Sequence, residues 1–590
     1  MLYCCQGSKP YNQSYAMSDI VQKKIQALHA KKREILGLPP KMALDAILSA
    51  EHPAAVVHAL TEQDFHLLIH DIGIDDARPL LALAKERQLE YIVDTEIWAA
   101  DQIDFMETIR WLEVLYRTDP DRTTRWLMTE KLEFLELFLF RNIQVVIREH
   151  DQESGTLPPS YFTYDDTVYI NIPDYPHPDG PASDDEKLRK QLVRDLLNRM
   201  AATDYSLYRN IVIEAVRVIP AEVAEEEYRL RNVRMAEKGF LPWDEAIGIY
   251  QPITADQLLN QRPKNTVPGE RRGRLPVPVL ASSFLDTDTL FGRALKTVSD
   301  PELVSQLEGE FATVCNQVVV ADREPIRQKL QLEQKVKKAC ATISLGLEHL
   351  LIGRKGNSAA LAGALICQYR LAEVFRVGYG LGLNLKWQAR KWQAGSWANQ
   401  VGLPLNFWGE AWLGVLGGLL LDHPRFYDNY TNGVLYRDFE TLADVEKTGA
   451  VLAEVMAFDA LLSNMNITLQ PLDTYGYVGH YNLVLSLWAR HVLAISGNLA
   501  PFAIEPVRQF FEHLWEQPET PYRVTDQKKE AFLAWIAAAA GQPEHEVSAA
   551  LGRTFEKLFG TLEEEYANVA PEKLELKYVQ GFFLLDPKTV

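Results

Sequence analysis

The sequence predicts an all-α protein, and three observations carry that reading. Apolar residues recur at helical spacing through most of the chain. A short proline-led helical segment is echoed at an offset of 23 residues, the mark of stacked helical hairpins. Alternating β-rich residues are confined to one short stretch near 161–170.

Residues 1–17 read as a disordered extension, with Met17-Ser18-Asp19 rivalling Met1 as the native start. Residues 20–36 form an amphipathic helix with a basic face of Lys23, Lys24, Lys31, Lys32 and Arg33. Such a face meets solvent more often than a membrane surface, so peripheral membrane contact is the less favoured reading. Ile35 and Leu36 on the same helix dock it to its own domain.

Residues 18–150 are expected to be a superhelical hairpin array. Pro53-Ala-Ala-Val-Val-His-Ala-Leu60 is echoed by Asp76-Ala-Arg-Pro-Leu-Leu-Ala-Leu83. Thr61 is placed to cap a helix, with Asp64 three residues on, and Gly73 to end it. The array is acidic: residues 41–150 carry a net −10 of the chain's −19, whereas residues 1–40 carry +4. That density makes it a candidate docking surface for a protein partner.

Residues 151–183 read as a proline-rich linker holding a small hairpin around Asp165-Asp166, the single strand pair expected in the chain. A helical segment over 184–260 follows, with Pro220 as a boundary. Then come a basic proline-rich loop over 261–280 and a large helical domain over 281–590.

The composition narrows the function. With 590 residues, 47% of them hydrophobic and 24% charged, the chain is ordinary globular material. An acidic chain without a basic tail is not built for nucleic acid. Its five cysteines include no C-x-x-C pair, which suits reduced thiols in the cytoplasm. The longest apolar run, Ala411–Leu421, has eleven residues. About 20 are needed to span a membrane, so no transmembrane segment is expected.

Arg33–Pro40, His52-Pro-Ala-Ala, Leu67-Leu-Ile-His-Asp-Ile-Gly73 and Pro79–Leu83 together resemble the start of a large bacterial family of unknown function. Asn316–Asp322, Gly346–Leu350, Phe375–Tyr379 and His423-Pro-Arg-Phe426 resemble its C-terminal blocks. The resemblance runs from about Lys32 to the end and brings no activity. The array alone is similar to the cytosolic helical domain of magnesium channels and to flagellar motor switch repeats, through hairpin spacing and proline-alanine-alanine turns. The channel's membrane part has no counterpart here, so ion transport is not implied.

Two constellations could carry chemistry. Glu62, His66 and His70 are four apart on one helix face, and an i, i+4 histidine pair can chelate a divalent metal. No H-E-x-x-H pattern accompanies them, so exposed histidines on a hairpin face are the favoured expectation and a metal the lesser one. The second constellation is the Gly/Trp-rich stretch over 378–418, with nine of 33 glycines and five of twelve tryptophans, Trp408 among them. It suits tight packing first and an apolar pocket second, with Gly414-x-x-x-Gly418 letting two helices meet closely. Glu348, Arg370, Glu373, Arg376 and Glu410 lie on or beside apolar segments there. Buried, they must be paired, and Glu373 and Arg376 suit an i, i+3 ion pair. An unpaired carboxylate in a pocket would be a candidate binding group.

No G-x-S-x-G, phosphate-binding loop, EF-hand or kinase motif occurs, and no catalytic residue or cofactor is indicated. The sequence thus reads as a cytoplasmic helical interaction or regulatory protein with an acidic array and an unidentified protein partner. The alternative is a small-ligand sensor or enzyme using a pocket at about 346–418.

Overall fold

The computed structural model describes residues 31, 32, 34–148, 158–174, 184–264, 288–323, 326–469, 478–496, 499–516 and 520–584. Outside them lie residues 1–17, most of the basic helix, much of the linker and most of the basic loop. The chain divides into two compact units. The first comprises Met1–Gln251, Gln261–Cys340 and Lys355–Val374; the second comprises Pro252–Asn260, Ala341–Arg354 and Phe375–Val590.

The fold is all-α. The first unit's main helices begin with α1 (Pro40–Leu48), α2 (Pro53–Ala59), α3 (Glu62–Ile72), α4 (Arg78–Leu83), α5 (Glu86–Glu96), α6 (Phe105–Thr118), α7 (Pro120–Thr129) and α8 (Leu132–Asn142). They continue with α9 (Asp184–Thr203), α10 (Tyr205–Ala215), α11 (Pro220–Ala236), α12 (Pro301–Ala321) and the start of α13 (Lys329–Leu350). Local chemistry sets the breaks. Thr61 Oγ1 accepts the Asp64 amide at 3.1 Å, and Gly73 ends α3 at φ +98°, a conformation open to glycine. Pro53, Pro120 and Pro220 sit at first helical positions, where a missing N–H costs nothing.

The α2–α3 hairpin recurs as α4–α5, and side chains tie one copy to the next. Gln88 Nε2 donates to the carbonyls of Val57 (2.9 Å) and Leu60 (3.2 Å), and Lys85 Nζ donates to that of His58 (2.9 Å). Each hairpin is too thin to enclose its own apolar face. One core therefore runs from Ile35 and Leu36 through Phe65, Leu80, Ile92 and Leu112 to Val212 and Ala215.

Strands are more numerous than the single pair expected. Among the described residues, β1 (Trp98–Ala99) and β2 (Gln102–Ile103) make a hairpin, and β3 (Gln144–Ile147), β4 (Phe162–Thr163) and β5 (Val168–Asn171) make an antiparallel sheet ordered β3-β5-β4. The predicted turn is present, with Asp165 Oδ1 accepting the amides of Thr167 and Val168. The partner missed was β3, whose β-branched Val-Val-Ile follows directly on a helix. Of the basic helix 20–36, Lys31 is exposed as expected, whereas Lys32 is buried, with Nζ 2.9 Å from Asp64 Oδ2.

Asp322, the C-cap of α12, receives Lys335 Nζ at 2.6 Å and Lys338 Nζ at 3.0 Å, and the Tyr250 hydroxyl donates to it as well. Burial opposes its ionisation, but the two ammonium groups and the hydroxyl outweigh it and hold the carboxyl below its ordinary range.

The second unit contains α14 (Leu371–Gly395) from Phe375 onward, α15 (Gly409–Leu420), α16 (Leu442–Asn464), α17 (His480–Val492), α18 (Ile504–Leu514), α19 (Asp526–Ala539) and α20 (Glu544–Tyr566), with a hairpin of β6 (Phe426–Tyr427) and β7 (Tyr436–Arg437). Its Gly/Trp-rich stretch is packing. A Cβ on Gly378 would lie 2.1 Å from the Thr342 carbonyl oxygen, so glycine lets two helices touch there. Gly414 and Gly418 do not join helices as expected. They seat the β6–β7 hairpin, where a Cβ would lie 2.3 Å from the Tyr427 ring or 2.6 Å from the Arg425 carbonyl.

Two stability outcomes follow. Gly378→Ala should lose about 1–3 kcal/mol through overpacking, read as a lowered midpoint in urea denaturation. Asp322→Asn should cost about 3–5 kcal/mol at pH 7 by taking the carboxylate from two buried lysines. A depressed carboxyl stabilises fully above its unfolded pKa of about 3.9 and loses that contribution as pH falls further. The gap between wild type and Asp322→Asn should therefore narrow below about pH 4.

Candidate metal centre

His66 and His70 lie one turn apart on α3, and the neighbouring repeat brings the last residue of α5, Glu96, against both. His66 Nε2 is 2.7 Å and His70 Nε2 2.9 Å from the same oxygen, Glu96 Oε1. Trp111 Nε1 of α6 donates to Oε2 at 3.3 Å. Arg327, ahead of α13, places Nε and Nη2 at 3.1 and 2.9 Å from Oε2.

The centre is closed. Side-chain exposure is 3% for His66, 7% for His70 and 1% for Glu96, against 41% for Arg327. The expectation of exposed hairpin-face histidines is therefore wrong for this pair, because α3 is covered by a second hairpin. His52 and His58 are exposed. Glu62 does not join its helix-mates, and its Oε1 pairs with Lys238 Nζ at 2.8 Å.

Burial disfavours the charged form of each group, but with different outcomes. It lowers the pKa of His66, although the neighbouring Glu96 pulls the other way. Burial also opposes ionisation of Glu96, and there the two histidines prevail, holding the carboxyl well below its ordinary range. The arrangement is a carboxylate bridging two imidazole rings. Tyr91, edge-on to His66 at 5.8 Å, has its hydroxyl pKa raised by burial.

Two imidazole nitrogens and one carboxylate oxygen, all within 4.8 Å of one another, are a three-ligand set for a metal ion. Around zinc at about 2.0–2.1 Å, such atoms sit about 3.3 Å apart, so the two His–Glu96 contacts would open by about half an ångström and the widest pair, within 4.8 Å, would close toward the same spacing. Each Nε2 proton would move to Nδ1. Trp111, donating to the other oxygen, orients Glu96 for monodentate ligation.

The pocket candidates are not gathered in this way. Trp408 is 2% exposed and packs against Trp392, Phe407, Trp412 and Phe458. Glu410 is exposed, not buried, and half-buried Glu348 accepts the Leu442 amide at 2.9 Å. Glu373 and Arg376 are half-buried; Glu373 forms no ion pair among the described residues, so the expected i, i+3 pair is not made. Sequence reasoning missed Glu96, Trp111 and Arg327. The repeat offset of 23 sets Thr95, one residue before Glu96, against Ile72 at the end of α3, and so points to the neighbourhood of Glu96 without singling it out.

The fold and the cluster together define an all-helical protein of two units, one built on a hairpin repeat around a His–His–Glu centre. The chain belongs to a family of unknown function, DUF6178, which matches residues 22–585. No curated protein and no solved structure matches it. The expected likeness to magnesium-channel and flagellar-switch domains is not shown by these comparisons. Among the described residues, no helix is long and apolar enough to cross a membrane.

Proposed function

We propose that this protein is a cytoplasmic regulatory protein that binds one divalent transition-metal ion through His66, His70 and Glu96 and docks a basic protein partner on its acidic array. The observation that carries the reading is the convergence of both Nε2 atoms, at 2.7 and 2.9 Å, on Glu96 Oε1. A set of two nitrogens and one oxygen suits zinc, cobalt or nickel. Magnesium and calcium prefer oxygen alone. So closed a centre is suited to holding an ion rather than turning over a substrate. The docking role draws on the net −10 of residues 41–150 and on exposed Asp45, Glu51, Asp75, Asp76, Glu86 and Asp101. The cytoplasmic reading draws on a low cysteine count with no C-x-x-C pair.

Calorimetric titration of chelator-stripped full-length chain tests the ion. One Zn²⁺ per chain is expected, with at least hundredfold weaker binding in His66→Ala and His70→Ala and no response to Mg²⁺. Zinc binding untouched by either variant refutes the site. For docking, a partner recovered with tagged wild-type chain from its own cells should be lost when Asp75, Asp76 and Glu86 are changed to Lys; retention refutes the acidic face.

A further inference from the structure

The metal-ligand reading leaves one member of the cluster without a role. Arg327 puts two guanidinium nitrogens on Glu96 Oε2 yet keeps 41% of its side chain exposed. A second carboxylate stands behind it, with Glu107 Oε2 3.9 Å from Nη2. Arg327 also leads α13: its amide and that of Gln328 donate to Gln331 Oε1 at 2.8 and 3.0 Å. The next cation, Lys329, reaches Asp71 Oδ2 at 3.1 Å and the Leu36 carbonyl at 3.1 Å. Asp71 adjoins His70 on α3. Two cationic side chains therefore tether the head of α13 to the hairpin array, and one of them shares its carboxylate with the ligand atoms.

We propose that a metal ion at His66, His70 and Glu96 weakens the Arg327 tether, so that ion occupancy controls how firmly the segment Ile326–Gln331 is held on the array. In this structure Glu96 is balanced by Arg327 and hydrogen-bonded to both histidines. A dication at Oε1 draws the carboxylate's charge to itself and stands a few ångströms from a like-charged guanidinium. Glu107 is the acceptor to which Arg327 turns. Coupling is reciprocal: if the ion loosens Arg327, Arg327 must weaken the ion. A group that only positioned Glu96 would do the opposite, and its loss would lower affinity about 10–100-fold.

This inference rests on the metal reading, and the test separates the two. Zn²⁺ affinity is measured by calorimetry on full-length wild type, Arg327→Gln and Arg327→Lys. Amide hydrogen exchange over residues 326–332 is followed with and without Zn²⁺. Arg327→Gln should bind at least tenfold tighter. Arg327→Lys, which keeps the charge, should stay near wild type. Zn²⁺ should speed exchange of that segment in wild type and leave it unchanged in Arg327→Gln. Equal or weaker binding by Arg327→Gln, or exchange indifferent to Zn²⁺ in wild type, overturns the coupling while the metal site stands. Absence of binding in all three chains overturns both.

Discussion

A single carboxylate organises the first unit. Glu96 lies at the end of α5 with 1% of its side chain exposed, and it is met by donors from α3, from α6 and from the residue leading into α13. An isolated carboxylate at that depth would cost several kcal/mol. It persists as an anion because every approach to it is a hydrogen-bond donor. The same requirement aligns the two hairpin copies, since His66 and His70 reach Glu96 only when α5 lies beside α3. Repeat packing and cluster geometry are one constraint seen twice.

The second unit solves a different problem. Its core is dense with aromatic rings, among them Trp408, Trp412, Trp488, Phe458 and Phe532. Rings of that size fill volume well but leave gaps where backbones must touch, and glycine closes them at Gly378, Gly414 and Gly418. Its charges are arranged for structure. Arg437 spans Asp428 at 3.0 Å and Asp444 at 2.8 Å, and Asp459 accepts the backbone amides of Trp397 and Ala398. A Gly/Trp-rich stretch that suggests a pocket by composition is explained here by close packing.

How much of this could be read beforehand depended on range along the chain. Thr61, Gly73, Pro220 and the Asp165–Asp166 turn act through neighbours within four residues, and their chemistry is written locally. The hairpin offset was visible because equivalent positions recur. The centre was half visible: His66 and His70 share a helix face by spacing, but their partner lies 26 to 30 residues away on another helix. Glu62 shares that face too, and only tertiary packing decides that it goes to Lys238. The burial of His66 was missed for a related reason. A short helix pressed between α1 and α5 buries more than one face, so periodicity understates it. Arg327 lies far beyond any local window.

The account turns on whether His66, His70 and Glu96 together form a coordination sphere. X-ray absorption at the zinc edge of the full-length chain loaded with one equivalent of Zn²⁺ addresses that directly. The account predicts only nitrogen and oxygen neighbours at about 2.0–2.1 Å, with the outer-shell scattering of two imidazole rings that vanishes to one ring in His70→Ala. Sulfur scattering near about 2.3 Å, or an oxygen shell without imidazole, would contradict it.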